Sequence, residues 1–217
     1  IERRLEEVKD DPVASAIYNS VLGRLYQDNE TLGKDRLKKS KEYYKASMRN
    51  PVVLAACKAP DYQPLVIVRY ASNCFNHDLL SVIGYAAGDY KTLHSYYEKV
   101  GERQATMLTA LEMLRQNKPK NQCEYKKSGY LQSVDSLIEK YGDLRVCGEA
   151  AVEHYNFIEN CSDVTAKDKI DYIDYAINKW ENCPRMNELR NKKRELTAQS
   201  FSVQINESVS MPGKPHK

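Results

Sequence analysis

The sequence predicts an all-α protein, an array of antiparallel helix pairs that ends in a short extended tail. Three observations carry this expectation. Apolar residues recur at i, i+3 and i+4 over most of the chain, the period of helices that bury one stripe. Gly88 and Gly101 follow two of these runs, and Pro12 and Pro184 precede two others, where helix stops and starts are expected. Period-two alternation is confined to the far end, at Phe201, Val203 and Ile205.

The bulk numbers agree. The 217 residues are 41% hydrophobic and 29% charged, enough for a buried core with a polar exterior. Lys plus Arg number 33 against 30 Asp plus Glu, so the formal charge is only +3 and points to neither nucleic acid nor an acidic membrane. Mean hydropathy is −0.68. No apolar run approaches the roughly 18 residues of a membrane span. Residue 1 is Ile and no signal-like segment follows, so the chain reads as a trimmed or mature fragment.

In order, residues 1–10 are charged and suit a partial helix. Pro12 opens a helix with Ala16, Ile17, Val21, Leu22, Leu25 and Tyr26 on one stripe. After a polar break at 27–29, residues 34–49 form a basic helix, with Leu37, Tyr44 and Met48 as its inward candidates. Residues 50–64 hold three prolines and suit an ordered loop with a short turn near 52–57. The β-branched run 65–68 could be a strand taken alone, but a lone strand has no partner, so 64–74 is expected to be helical.

The organising stretch is 75–117, three short helices cut by Gly88 and Gly101. Their stripes are Val82, Ile83 and Ala86; Leu93, Tyr97 and Val100; Met107, Leu108, Leu111 and Leu114. After a polar link at 118–129, helices are expected at 130–141, 146–159, 166–180 and 184–196. Thr165 with Asp168 has the spacing of a capping box. A weak repeat relates Lys140-Tyr141 and Arg145 to Lys179-Trp180 and Arg185, about 40 residues later. This is similar to helix-pair repeats of the tetratricopeptide type, although the full pattern of those repeats is absent.

Candidate chemistry is sparse. Cys74-x-x-His77, with His94 and Cys161, offers one arm of a zinc site where a structural site needs paired arms. The bland alternative is a buried thiol and a helix-start histidine. The cations of 34–49 lie around the helix rather than on one face, which suits a solvated surface more than phosphate binding. The 16 Tyr follow helical spacing, at Tyr43-Tyr44, Tyr96-Tyr97, Tyr172 and Tyr175, and are read as packing groups. Glu149 and Glu153 are spaced i, i+4 and read as a solvated acidic face. No GxSxG and no spacing ties a Ser or Cys to a His, so no catalytic residue, cofactor site or metal site is assigned. The six Cys show no CxxC pair, and their pairing stays open. Asn29, Asn160 and Asn206 open Asn-x-Ser/Thr triplets, which are too short and frequent to weigh.

The segments KSKEYYKASMRNP (39–51), KAPDYQPL (58–65) and FNHDLLSVIGYAAGDY (75–90), with the run from Ser136 to RNKKRELT (190–197) and the ending FSVQINESVSMPGK, resemble the N-terminal helical region of bacterial alpha-macroglobulin family proteins. FNHDLLSVIG is the most specific piece. The resemblance implies a cell-envelope protease trap, periplasmic or anchored to the outer membrane, whose β-sandwich domains follow the helices. Residues 1–197 would then be a non-catalytic helical scaffold or interaction domain. Residues 198–217 would be the first strand or linker of the next domain. Its partners would be those downstream β domains, with proteases or envelope proteins as further candidates.

The family's thioester joins the sulfur of a Cys-x-Glu-Gln motif to the Gln side chain. This chain has Cys147-Gly148-Glu149-Ala150, and Ala150 has no carbonyl to offer. Cys147 is therefore read as a core thiol or half of a disulfide. Two other functions stay in view: a free-standing helical-repeat module that binds peptides or glycans in a Tyr-lined groove, and, more distantly, a nucleic-acid binder built on residues 34–49.

Overall fold

The structure, a computed structural model, describes residues 1–68, 72–119 and 128–209, with side chains through residue 198. Among the described residues there are eleven α-helices, several 3-10 turns and no strand. The all-α expectation therefore holds. The chain divides into two compact units, Ile1–Met113 and Leu114–Lys217.

The first unit starts with α1 (Glu2–Glu7) and α2 (Pro12–Asp28). Pro12 sits at the first position of α2, and the Asp11 carboxylate accepts the Val13 and Ala14 N–H groups. α2 packs antiparallel against α3 (Arg36–Ser47). Ser40 donates to the Gly23 carbonyl at 2.7 Å, and Arg36 donates to the Gln27 carbonyl at 2.5 Å. Gly23 allows this approach, because a Cβ there would stand 2.7 Å from the Tyr44 ring. Tyr26 and Tyr43 stack at 5.5 Å, and both donate to Glu2, which pulls the Glu2 carboxyl below its ordinary range. Met48 is buried as expected, but Leu37 is 52% exposed. Tyr44, the third inward candidate, lays its ring on Gly23, and the small residues Gly23 and Ser40, which the apolar-stripe reading passes over, allow the close approach.

Two expectations fail between residues 50 and 75. Pro51 opens a true helix, α4 (Pro51–Ala56), where only a turn was expected, since proline suits the first helical position. Residues 64–68 are not helical, and Ser72–Phe75 form only a 3-10 turn. Pro64 supplies no N–H and the following β-branched residues weaken a helix. An isolated antiparallel bridge, Lys58 to Asp78, ties this segment to the next helix.

The organising stretch forms α5 (Leu79–Ala87), α6 (Tyr90–Val100) and α7 (Arg103–Gln116), as expected. Gly88 and Gly101 end the first two in the left-handed region, at φ 66° and 79°. Asp78 and Asp89 cap their starts. Leu79, Leu80, Ile83, Leu93, Tyr97, Met107 and Leu111 are almost fully buried, whereas Val100 is half exposed.

The second unit contains α8 (Gly129–Tyr141), α9 (Gly148–Ile158), α10 (Ala166–Lys179) and α11 (Met186–Val209). Ser128 caps α8, and Thr165 with Asp168 makes the expected capping box of α10. α9 is the central rod, with Ala150, Ala151, Val152 and Tyr155 fully buried. The weak repeat has a structural counterpart. Tyr141 and Trp180 are both buried at helix ends, with the ammonium of Lys140 or Lys179 about 5 Å from the ring of its neighbour. Trp180 also donates to the Gly142 carbonyl at 3.1 Å, so the two repeat positions touch.

The extended tail expected from residue 198 is not formed up to residue 209, because α11 continues to Val209. No Pro or Gly interrupts the run before Pro212, and among the described residues no strand offers a partner. The MPGK turn signal lies outside the described residues.

Candidate functional site

FNHDLLSVIG, residues 75–84, is the hub of the first unit. Phe75 meets the rings of Tyr85 and Tyr97 at 5.5 and 5.3 Å. Asn76 and His77 stand in the left-handed region at φ 52° and 53°, a costly conformation for residues with a Cβ. The reversal is held by Ser72, whose Oγ lies 2.9 Å from His77 Nδ1, and by Lys58, which donates to the Asn76 carbonyl at 2.7 Å.

Asp78 follows, only 3% exposed. Its Oδ1 accepts the Ser81 N–H at 2.7 Å, and both carboxylate oxygens lie within 2.9 Å of the Tyr97 hydroxyl. Burial raises the Asp78 pKa against the lowering effect of these bonds and of Lys58. The same burial, with Asp78 beside it, raises that of Tyr97. Gly84 completes the motif, since a Cβ there would lie 2.5 Å from Leu93.

The imagined zinc ligands have other employment. Cys74 is buried, His77 holds the loop just described, and His94 Nδ1 lies 3.2 Å from the Thr106 carbonyl. Cys161 belongs to the second unit. Among the described residues no three His, Cys, Asp or Glu side chains gather where a metal could be held. Cys57, Cys147 and Cys183 are free thiols, Cys74 and Cys161 are buried, and Cys123 lies outside the described residues. Cys147 is fully buried and its thiol is pushed up to about 12, chiefly by desolvation, which leaves it unreactive.

The acidic pair on α9 is not a solvated face. Glu153 is 5% exposed and accepts from Arg115 at 3.0 Å, Lys118 at 2.8 Å and Tyr130 at 2.8 Å. Its burial works upward, but Lys118, Tyr130 and Arg115 outweigh it and hold the carboxyl below its ordinary value. Glu149, one turn earlier, accepts from Arg185 at 3.1 Å. Arg185 also grips Glu188 with two bonds of 2.7 Å. These ion pairs, with the Tyr130 hydrogen bond from α8, tie the end of α7, α8, α9 and α11 together within the second unit. Four residues apart on one helix meant a shared face, as expected; that the face is inward was invisible, because the cations come from distant sequence.

Of the tyrosines expected to pack, Tyr97 is buried, Tyr43, Tyr44, Tyr96 and Tyr172 are half-buried, and Tyr175 is 48% exposed. The basic helix α3 spends Arg36 on the α2 carbonyls and sets Lys39 over the Tyr26 ring at 5.2 Å.

A groove not foreseen from the sequence lies between α10 and α11. It has a volume of about 630 Å³ and is lined by Ile177 and Ala198 with Arg190, Lys193 and Arg194. Its signal in the sequence is four cations within five residues, Arg190, Lys192, Lys193 and Arg194, and no motif marks them as a site. Compared with known proteins, the chain gives no match to a family model, a curated protein or a solved structure.

Proposed function

We propose that this chain is a non-catalytic helical scaffold and interaction domain of a bacterial alpha-macroglobulin-like protease inhibitor of the cell envelope. One observation carries the reading: residues whose chemistry could have served a reaction are consumed in holding helices together. Asp78 caps α5 and accepts from Tyr97, Glu153 receives two cations and a tyrosine, and Cys147 lies in the core. Ala150 removes the only thioester-like spacing. The family part of the proposal rests on the segments quoted above, and on FNHDLLSVIG most of all.

Two measurements test it. Translating the gene beyond the codon for Lys217 should show a run of β-sandwich domains, and a different continuation removes the family assignment. The chain alone, mixed with serine and metalloproteases, should leave their activity on a small substrate unchanged. Stoichiometric inhibition by the chain alone would contradict a scaffold role.

A second reading, a free-standing peptide-binding module, is favoured by the groove between α10 and α11 and weakened by the packing of the tyrosines that would have lined it.

A further inference from the structure

The groove between α10 and α11 carries charge without a partner. Lys193 is neutralised, its Nζ lying 2.5 and 2.7 Å from the two oxygens of Asp174. Arg190 and Arg194 are not. Arg190 donates to Asn187 Oδ1 at 2.8 Å and to the Glu181 carbonyl at 3.4 Å, and Arg194 donates to Asn191 Oδ1 at 3.4 Å. All of these acceptors are neutral. Among the described residues, no carboxylate forms an ion pair with either guanidinium. Arg185, a few residues earlier, takes two carboxylates.

The two arginines are four residues apart on one helix, so they stand roughly 6 Å apart along its axis. Two carboxylates at i and i+4 of another helix have the same spacing. Guanidinium–carboxylate bonds are strong and directional, and Arg194 is exposed and Arg190 half-buried, so a carboxylate arriving from solvent can reach both, with Ile177 beside them on the groove wall. A groove between two antiparallel helices is also the usual seat for a third.

We infer that this groove receives a helical segment of a partner polypeptide that presents two Asp or Glu residues one turn apart, with an apolar side chain between them. This deepens the proposed interaction role and rests on it.

The test uses a fluorescein-labelled Ala-rich peptide of about 16 residues, long enough to hold a helix. It carries Glu at i and i+4 and Leu at i+3; a second peptide has Gln in place of both Glu. Anisotropy titrations against the whole chain at low salt should show the Glu peptide binding about tenfold more tightly than the Gln peptide, with the preference shrinking as salt is raised. Arg190→Gln and Arg194→Gln should each reduce the preference and the double variant should abolish it, with circular dichroism unchanged. Arg24→Gln, at an exposed pair with Asp28 in the first unit, should leave it intact.

Equal binding of the two peptides, or a preference that survives the double variant, overturns the acidic occupant. Displacement of the peptide by phosphatidylglycerol vesicles at matched charge would assign the arginines to a membrane and also overturns it. Failure of both peptides removes the groove as a docking site, while the gene continuation and the protease assay judge the domain reading separately.

Discussion

Asp78→Ala should be among the costliest single changes in the first unit. The substitution removes the acceptor of the Ser81 N–H, a helix cap worth about 1 kcal/mol. It also strips the buried Tyr97 hydroxyl of its acceptor, at roughly 1–3 kcal/mol. Relief from burying a carboxylate works in the opposite direction, so we expect a net loss of about 2–3 kcal/mol. Asp78→Asn keeps an oxygen for the cap and a polar group for Tyr97, and should cost less. Hydrogen exchange at the Ser81 amide, read beside urea denaturation, isolates this unit. The pH dependence sharpens the argument. Burial raises the folded pKa of Asp78 above 3.8, so its stability contribution is whole below that value and declines as pH rises through the folded pKa. The advantage of wild type over Asp78→Asn should therefore shrink from about pH 3 toward neutrality. A widening advantage over that range, or an Asn variant as costly as the Ala variant, would refute the reasoning.

Glu153→Gln should loosen the second unit by about 1–3 kcal/mol in thermal or urea unfolding, less than for a fully buried pair because Arg115 and Lys118 are partly exposed. Its carboxyl is held low, so its contribution is present above about 4.5 and is lost as pH falls; the variant should show a flatter acid limb than wild type. Gly84→Ala should cost about 1–2 kcal/mol despite the better helix propensity of Ala, since the new methyl meets buried Leu93; a gain in melting temperature would show that Leu93 can move aside. Iodoacetamide at pH 8 should leave Cys147 unlabelled in the native chain and label it readily in urea, as read by peptide mass spectrometry; rapid native labelling would place that thiol at the surface.

Much of the fold was legible because its signals are local. Pro12, the Thr165–Asp168 box, Gly88 and Gly101 each act within one helical turn and sit where the sequence puts them. The misreadings share a cause. Leu37 looked inward because it is apolar, yet the α2–α3 contact is set by Gly23 and Ser40, and a close backbone approach leaves no stripe to read. Phe201, Val203 and Ile205 alternate as in a strand, but alternation specifies a strand only when a neighbouring strand is present; without one, the helical run from Met186 continues through them. The groove arginines carry no motif at all. Asn187 and Asn191 are their neutral neighbours one turn earlier on α11, but that the Asp174 carboxylate of α10 goes to Lys193 follows only from the packing of the two helices.

The two buried carboxylates show why a sequence pattern alone did not give the role of either. Asp78 and Glu153 are both nearly inaccessible, and both accept from a tyrosine. They differ in their charged neighbours. Asp78 has Lys58 only as a weak lowering influence, and its carboxyl is raised. Glu153 receives Lys118 and Arg115 directly and is lowered. Neutral donors, the Tyr97 hydroxyl and the Ser81 N–H, do not repay the desolvation of the Asp78 carboxylate, whereas two cations added to a tyrosine do so for Glu153. The first unit should therefore gain from acid at this site and the second should lose. A single pH titration of hydrogen exchange, at Ser81 and at an amide of α9, would show opposite slopes. Parallel slopes would mean that desolvation, not the cations, governs both sites.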